Sequence, residues 1–210
     1  MSKIEEITKA VESGKSNIIE GLLAEAINGG ADPADVLNNG LIKGMNEVGK
    51  KFQKGEAFVP EMLMAARAMK LGMEILKPKL AGKPKTTLGK CIIGTVHGDL
   101  HDIGKNLVAI MIESSGFEII DLGADVSVDK FISTIKDNAD VKVVALSCLL
   151  TTTMPAMKET AEAIKTCGVA GVKVIIGGAP VSKDFADKIG ADGYSPDAAS
   201  AGELAKKLCA

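Results

Sequence analysis

Apolar positions change period once along the chain. Up to about residue 76 they recur every three or four residues. In "ADVLNNGLIKGMNEVGKKF", Val36, Leu37, Leu41, Met45, Val48 and Phe52 fall on one face of a helix. Two neighbours have the same character. One is "SNIIEGLLAEAINGG", from Ser16 to the Gly29–Gly30 stop; the other is "EMLMAARAMKLGMEIL", which is expected to end before Pro78. A weaker helix covers Ile4 to Val11. Asp32 before Pro33 reads as an N-cap followed by proline at the first helical position, and Val59–Pro60 opens the next helix in a similar way. Short connections between such helices predict a four-helix bundle.

Beyond Lys90 the apolar residues come in short Val/Ile runs. The runs are "KCIIGTV", "FEIIDLG", "VKVVALS", "VKVIIGG" and a brief "DGY". Helical patterns alternate with them: 103–114, "VDKFISTIKDN", "MPAMKETAEAIKTC", "KDFADKIG" and 198–208. Strands that are apolar on both faces, with helices between them, predict a parallel sheet covered on both sides. The fold class is α/β: a helical bundle followed by a flavodoxin-like, Rossmann-like sheet of five parallel strands. Between the halves, "KPKLAGKPKTTLG" shows neither period and carries two prolines, which predicts an extended, mobile linker. The expected division is 1–78, a linker at 79–89, and 90–210.

Composition narrows the function. The formal net charge is −2, and no basic stripe offers a footprint for nucleic acid. No apolar run approaches the ~18 residues of a membrane span. The start, "MSKIEEITKAVESGK", lacks the apolar core of a signal peptide, so a cytoplasmic location is expected. Cys91, Cys148, Cys167 and Cys209 show no CxxC spacing. They read as buried free thiols rather than a zinc site or a disulfide framework.

Both histidines lie in "GTVHGDLHDIGKN", between the first strand and its helix. Open α/β sheets bind ligands beyond the carboxyl ends of their strands. Asp99 and His101 are two apart, so an extended loop puts both side chains on one side. The carboxylate can take a hydrogen bond from one ring nitrogen and leave the other nitrogen's lone pair for a metal. Asp-x-His alone also fits a solvated loop histidine, and both readings stay open on that pair.

A wider pattern surrounds the pair. Asp99-x-His101-x-x-Gly104 is followed by Ser147-x-Leu149 and then Gly177–Gly178, each at the end of a predicted strand. This spaced set resembles the signature of cobalamin-binding domains. Over nearly its full length, including "KFQKGEAFVPEMLMAA", the chain resembles corrinoid proteins of methyltransferase systems and the matching module of methionine synthase.

The resemblance implies a cofactor, cobalamin or a related corrinoid with its cobalt. His101 would be the lower axial metal ligand, replacing the cofactor's own base. Asp99 and the hydroxyl of Thr153 would continue from it as a proton relay; Thr153 stands where methionine synthase has serine. The displaced nucleotide tail would enter a slot lined by Gly98, Ser147, Thr151, Gly177, Gly178 and Ala198. Asp102, Gly104 and Leu149 would belong to the same binding loops, and His97 would lie near the corrin edge. From the bundle, Phe52, Val59 and Met62 would cover the methyl group. Their spacing alone reads equally as bundle core.

The implied function is that of a methyl carrier, not an enzyme on its own. A substrate:corrinoid methyltransferase of the O-demethylase, methanol or methylamine type would load cob(I)alamin from a small methylated substrate. A second methyltransferase would pass the group from methylcob(III)alamin to tetrahydrofolate or a thiol such as coenzyme M. A reductive activating protein would restore the reduced cobalt. The alternatives are a cobalamin-dependent sensor, which would carry a DNA-binding domain as well, and the small subunit of an adenosylcobalamin mutase. The methyl donor is not legible in the sequence.

Overall fold

The computed structural model describes residues 2–80 and 87–209. The chain forms two compact units, Met1–Thr86 and Thr87–Ala210.

The first unit is helical. Helix α1 (Lys3–Glu12) opens with a full capping box between Ser2 and Glu5, which makes it a better-defined helix than its apolar pattern predicts. Helix α2 (Ser16–Asn28) follows. Asp32 caps the Ala34 amide and Pro33 takes the first turn of α3 (Pro33–Asp35), as the sequence predicts. From there the rod runs unbroken through a π-helical segment (Val36–Ile42) into α4 (Lys43–Gln53). The wider π turn is invisible to a period of 3.6 read over so few residues. Helix α1 crosses this rod at its small residues. A Cβ on Gly40 would stand 3.1 Å from Ile7 Cγ2, and one on Gly44 would stand 2.7 Å from the Thr8 carbonyl. Thr8 Oγ1 lies 3.0 Å from the Asn39 carbonyl inside the π segment and can donate to it.

Helix α5 (Val59–Leu80) corrects one expectation: it continues through Pro78 instead of ending before it. Pro78 sits in the last turn. Its missing amide forfeits a single bond there, and the break that proline causes in mid-helix does not follow. The predicted linker is therefore partly helical at 79–80. Its residues 81–86 lie outside the described residues, and 87–89 lead into the sheet.

The second unit alternates as predicted: β1 (Lys90–Thr95), α6 (Ile103–Ser114), β2 (Glu118–Asp121), α7 (Val128–Lys136), β3 (Val141–Ser147), α8 (Met154–Thr166), β4 (Lys173–Gly177), α9 (Lys183–Lys188), β5 (Gly193–Tyr194) and α10 (Ala198–Cys209). All strand pairs are parallel and the order is β2-β1-β3-β4-β5. Alternate residues serve opposite faces. Ile92, Val144, Leu146, Val174 and Ile176 join a core with Phe131, Ile135, Met157 and Ile164 of α7 and α8. Cys91, Ile93, Val143, Ala145 and Ile175 join another with Ile112 of α6 and Ala205 of α10. Cys91 and Cys148 are buried, whereas Cys167 and Cys209 are only partly so, because both sit at helix ends; the four-fold burial expected from sequence holds for two. Strand order reverses between β1 and β3, so the loops after these two strands lie side by side at the switch point.

Candidate functional site

The loop after β1 leaves the sheet through Val96, which is bridged to Val126. It turns at Gly98, whose φ of +82° suits glycine, and sends Asp99 inward. Asp99 is 0% exposed. Its Oδ1 accepts from the His101 amide at 3.1 Å and lies 2.7 Å from His101 Nδ1. Its Oδ2 accepts from the Leu149 amide at 2.7 Å, the Leu150 amide at 3.3 Å and the Thr153 hydroxyl at 2.9 Å. The loop after β3 thus closes on the loop after β1 through one carboxylate. Burial pushes the Asp99 carboxyl up. The bonds from Leu149, His101 and Thr153 outweigh it and hold the group well below the usual carboxylate range.

A charged carboxylate only accepts hydrogen bonds. His101 therefore carries a proton on Nδ1, and in the neutral ring Nε2 is the nitrogen with the lone pair. The ring is 51% exposed, so that lone pair is available from outside. Behind it, Thr95 Oγ1, buried at the end of β1, donates to the His101 carbonyl at 2.8 Å. Among the described residues no group of three His, Cys, Asp or Glu converges to hold a metal ion. A metal at His101 would need most of its ligands from a group it arrived in.

The two loops also expose apolar side chains. Leu100 is 77% exposed, Ile103 75%, Leu149 43% and Leu150 41%. Of these the sequence pattern singled out only Leu149; the others flank its motif residues along the chain, and the structure shows them exposed. A Cβ on Gly104, in the first turn of α6, would meet nothing within 4 Å, so packing inside the chain does not call for glycine there.

The small residues gather at the adjacent strand ends. Ser147 pairs with Gly177 in the β3–β4 register. A Cβ on Gly177 would stand 3.0 Å from the Ser195 carbonyl, and one on Gly178, at φ +130°, would stand 1.7 Å from the Cys148 carbonyl. Ala198 opens α10 just after the Ser195–Asp197 turn. Thr151 and Thr153 form a short 3₁₀ turn in which Thr151 is exposed and Thr153 buried. Asp102 is the N-cap residue of α6, though its side chain caps no amide; its Oδ2 accepts from Asn106 Nδ2 at 3.3 Å. His97 is 71% exposed and its Nδ1 lies 2.7 Å from Asp125 Oδ1.

Two polar residues also escaped the sequence reading. Lys105, on α6, is 2% exposed and its Nζ donates to Asn106 Oδ1 at 2.6 Å and to both oxygens of Asp121 at 2.7 and 2.6 Å. Asp125 grips the histidine loop. A lysine beside a helix start and an aspartate in a turn both read as surface residues. In the helical unit, Phe52 and Val59 are partly buried, and Met62 is 1% exposed, as a core side chain is. Phe58, one residue before α5, is 65% exposed.

Known proteins resemble the chain in both units. A family model described as "B12 binding domain" matches residues 89–202, and a second with the same description matches 3–77. The dimethylamine corrinoid protein 1 of Methanosarcina acetivorans is 42% identical over 99% of this chain and 97% of its own. A corrinoid protein of Desulfitobacterium hafniense is 39% identical over 99% and 98%. Among solved structures, the methanol:cobalamin methyltransferase complex of Methanosarcina barkeri contains a chain that matches with a TM-score of 0.85 at 31% identity, over 99% of this chain and 79% of that one. A cobalamin-binding protein of Desulfitobacterium hafniense matches with a TM-score of 0.82 at 32% identity, over 98% of both chains.

Proposed function

This chain belongs to the B12-binding family, and from that premise we propose that it is the methyl-carrying corrinoid subunit of a methyltransferase system. A bound corrinoid would supply a cobalt atom that takes up a methyl group and yields it to an acceptor. The observation that carries the reading is the orientation of His101, with Nδ1 held by a buried, charged Asp99 and Nε2 directed away from that bond.

The residues present fit such a group. His101 would hold the metal of such a group through Nε2. Asp99 keeps the ring's proton on Nδ1 and so keeps the Nε2 lone pair available. The Asp99 carboxylate, 2.7 Å from Nδ1, would also balance the charge of the ring in its protonated form. Thr153 Oγ1 has one proton and two acceptors at 2.9 Å, Asp99 Oδ2 and the Leu150 carbonyl, so it can strengthen or relax its hold on Asp99. Leu100, Ile103, Leu149 and Leu150 are proposed as apolar contacts for such a group. Gly98, Ser147, Thr151, Gly177, Gly178 and Ala198 are proposed to line the slot for the nucleotide tail, and Asp102 and Gly104 to be cofactor-binding residues of the histidine loop. Phe52, Val59 and Met62 are proposed as a cover that excludes water.

The partners follow from the chemistry. A separate methyltransferase loads the carrier, a methylated amine or methanol being the donor class that the relatives' names suggest. A second transferase acting on tetrahydrofolate or a thiol such as coenzyme M, and a reductive activating protein, are proposed as the further partners.

Electron paramagnetic resonance of the cob(II)alamin-loaded protein tests the axial ligand. One histidine nitrogen should split the cobalt lines. Nitrogen-15 histidine should change the splitting, His101→Ala should abolish it, and His97→Ala should leave it intact. A spectrum insensitive to both the label and His101→Ala overturns the assignment.

A further inference from the structure

Asp125, in the turn between β2 and α7, touches three successive residues of the histidine loop. Its Oδ1 accepts from the Gly98 amide at 2.7 Å and lies 2.7 Å from His97 Nδ1. Its own amide donates to the Asp99 carbonyl at 2.9 Å. Among the described residues it is the one non-glycine with a positive φ, +54°. Aspartate and asparagine tolerate this left-handed conformation better than other side chains. The conformation is what lets one residue aim its amide at Asp99 and its carboxylate at Gly98.

The loop needs such a hold. Gly98 sits at φ +82°, where glycine has wide conformational freedom. Thr95 ties the far end of the loop through the His101 carbonyl at 2.8 Å. Asp125 ties the near end. Between the two ties lies Asp99, whose Oδ1 must stay within hydrogen-bond reach of His101 Nδ1 for the ring to keep its orientation. The Gly98 amide, ahead of the opposing effect of burial, together with His97 holds the Asp125 carboxyl below its ordinary range. It is therefore a charged acceptor, and charge-assisted bonds are the stronger kind.

We propose that Asp125 is a positioning residue for the axial histidine: it clamps His97, Gly98 and Asp99 so that the Asp99–His101 pair presents Nε2 in a single direction. The proposal rests on the reading of His101 as the cobalt ligand.

Three full-length variants test it. Asp125→Gly keeps the left-handed backbone free of strain and removes the carboxylate. Asp125→Asn keeps an oxygen for the Gly98 amide. His97→Gln removes the ring contact alone. The first readout needs no cofactor: hydrogen exchange of the Gly98 amide. Asp125→Gly should raise it roughly ten-fold or more, as loss of one charge-assisted bond implies; His97→Gln should stay within about two-fold of wild type, and Asp125→Asn, with a neutral acceptor, should fall between them. The second readout is the nitrogen splitting in the cob(II)alamin-loaded proteins. Asp125→Gly should lose about half or more of the split signal at an unchanged melting temperature, and Asp125→Asn should restore it. Should Asp125→Gly fail to fold, Asp125→Ser, which withdraws the acceptor by shortening the side chain at some cost in left-handed backbone strain, is read at matched melting temperature against Asp125→Asn. Faster exchange with an unchanged split signal would make the clamp merely structural and overturns the proposal. So does unchanged behaviour in both readouts. A wild-type protein without histidine splitting overturns the ligand assignment, and the positioning role with it.

Discussion

Asp99 has no exposed surface yet keeps its charge, because five donors reach its two oxygens. Its depressed native pKa fixes the sign of a pH effect. The unfolded chain takes up the proton first, at about pH 4, while the native carboxylate stays ionised to lower pH. The stabilisation is complete above that value and is lost as pH falls through the native pKa. Asp99→Asn turns an amide donor toward amide and hydroxyl donors, which should cost roughly 2–4 kcal/mol at neutral pH. The gap from wild type should narrow on acidification below about pH 4. Urea titrations of both proteins at neutral and acid pH check this; a gap independent of pH refutes it. Next to this network, burial pushes the Cys148 thiol up to about 11, so native Cys148 should resist alkylation at neutral pH. Gly178 leaves no choice of side chain, since its Cβ would collide with the Cys148 carbonyl. Gly178→Ala should cost roughly 2–5 kcal/mol, measurable by thermal melting, and a melting curve like wild type would contradict the geometry.

Among the elements, α6 is held at its start by a buried lysine. Lys105 is satisfied by Asn106 and Asp121, and Asp121 Oδ1 also accepts from the Gly123 amide at 2.8 Å. The helix that follows the histidine loop is thereby pinned to the end of β2. Asp121 is 41% exposed, so solvent screens part of the attraction. Lys105→Met should cost roughly 1–3 kcal/mol, and adding Asp121→Asn should recover part of that loss. A double-mutant cycle by urea unfolding reads the coupling; additive losses would mean the pair is not a unit. In the bundle, Gly44 lets α1 approach α4, and a methyl group there would meet the Thr8 carbonyl and Val11. The close crossing at Gly40 and Gly44 is hidden in a pattern read as two apolar faces.

At the scale of the molecule, every partner of Asp99 and His101 described here lies in Thr87–Ala210. A fragment beginning at Thr87 should therefore fold and show the same histidine splitting when loaded. If the helical unit shields the cofactor, cob(I)alamin in the fragment should oxidise faster under trace oxygen than in the full chain. Equal rates, followed by absorbance, would remove the shielding role from Phe52, Val59 and Met62. No described helix is long and apolar enough to cross a membrane.

The sequence by itself determined the order of helices and strands, the parallel sheet and the Asp-x-His loop. Each is written in a local period, or in spacing along one segment. Helix ends were legible where a cap announced them, as at Asp32–Pro33, and misread at Pro78, where position within the helix decides whether proline breaks it. Only the tertiary structure decided which groups meet. Leu149 and Thr153 reach Asp99 across 50 and 54 residues, and Asp125 reaches Gly98 across 27. Such contacts depend on strand order and on backbone conformations like the left-handed turn at Asp125. A hydrogen bond between distant residues leaves no periodicity in a chain, because its geometry is set by the fold that brings its ends together.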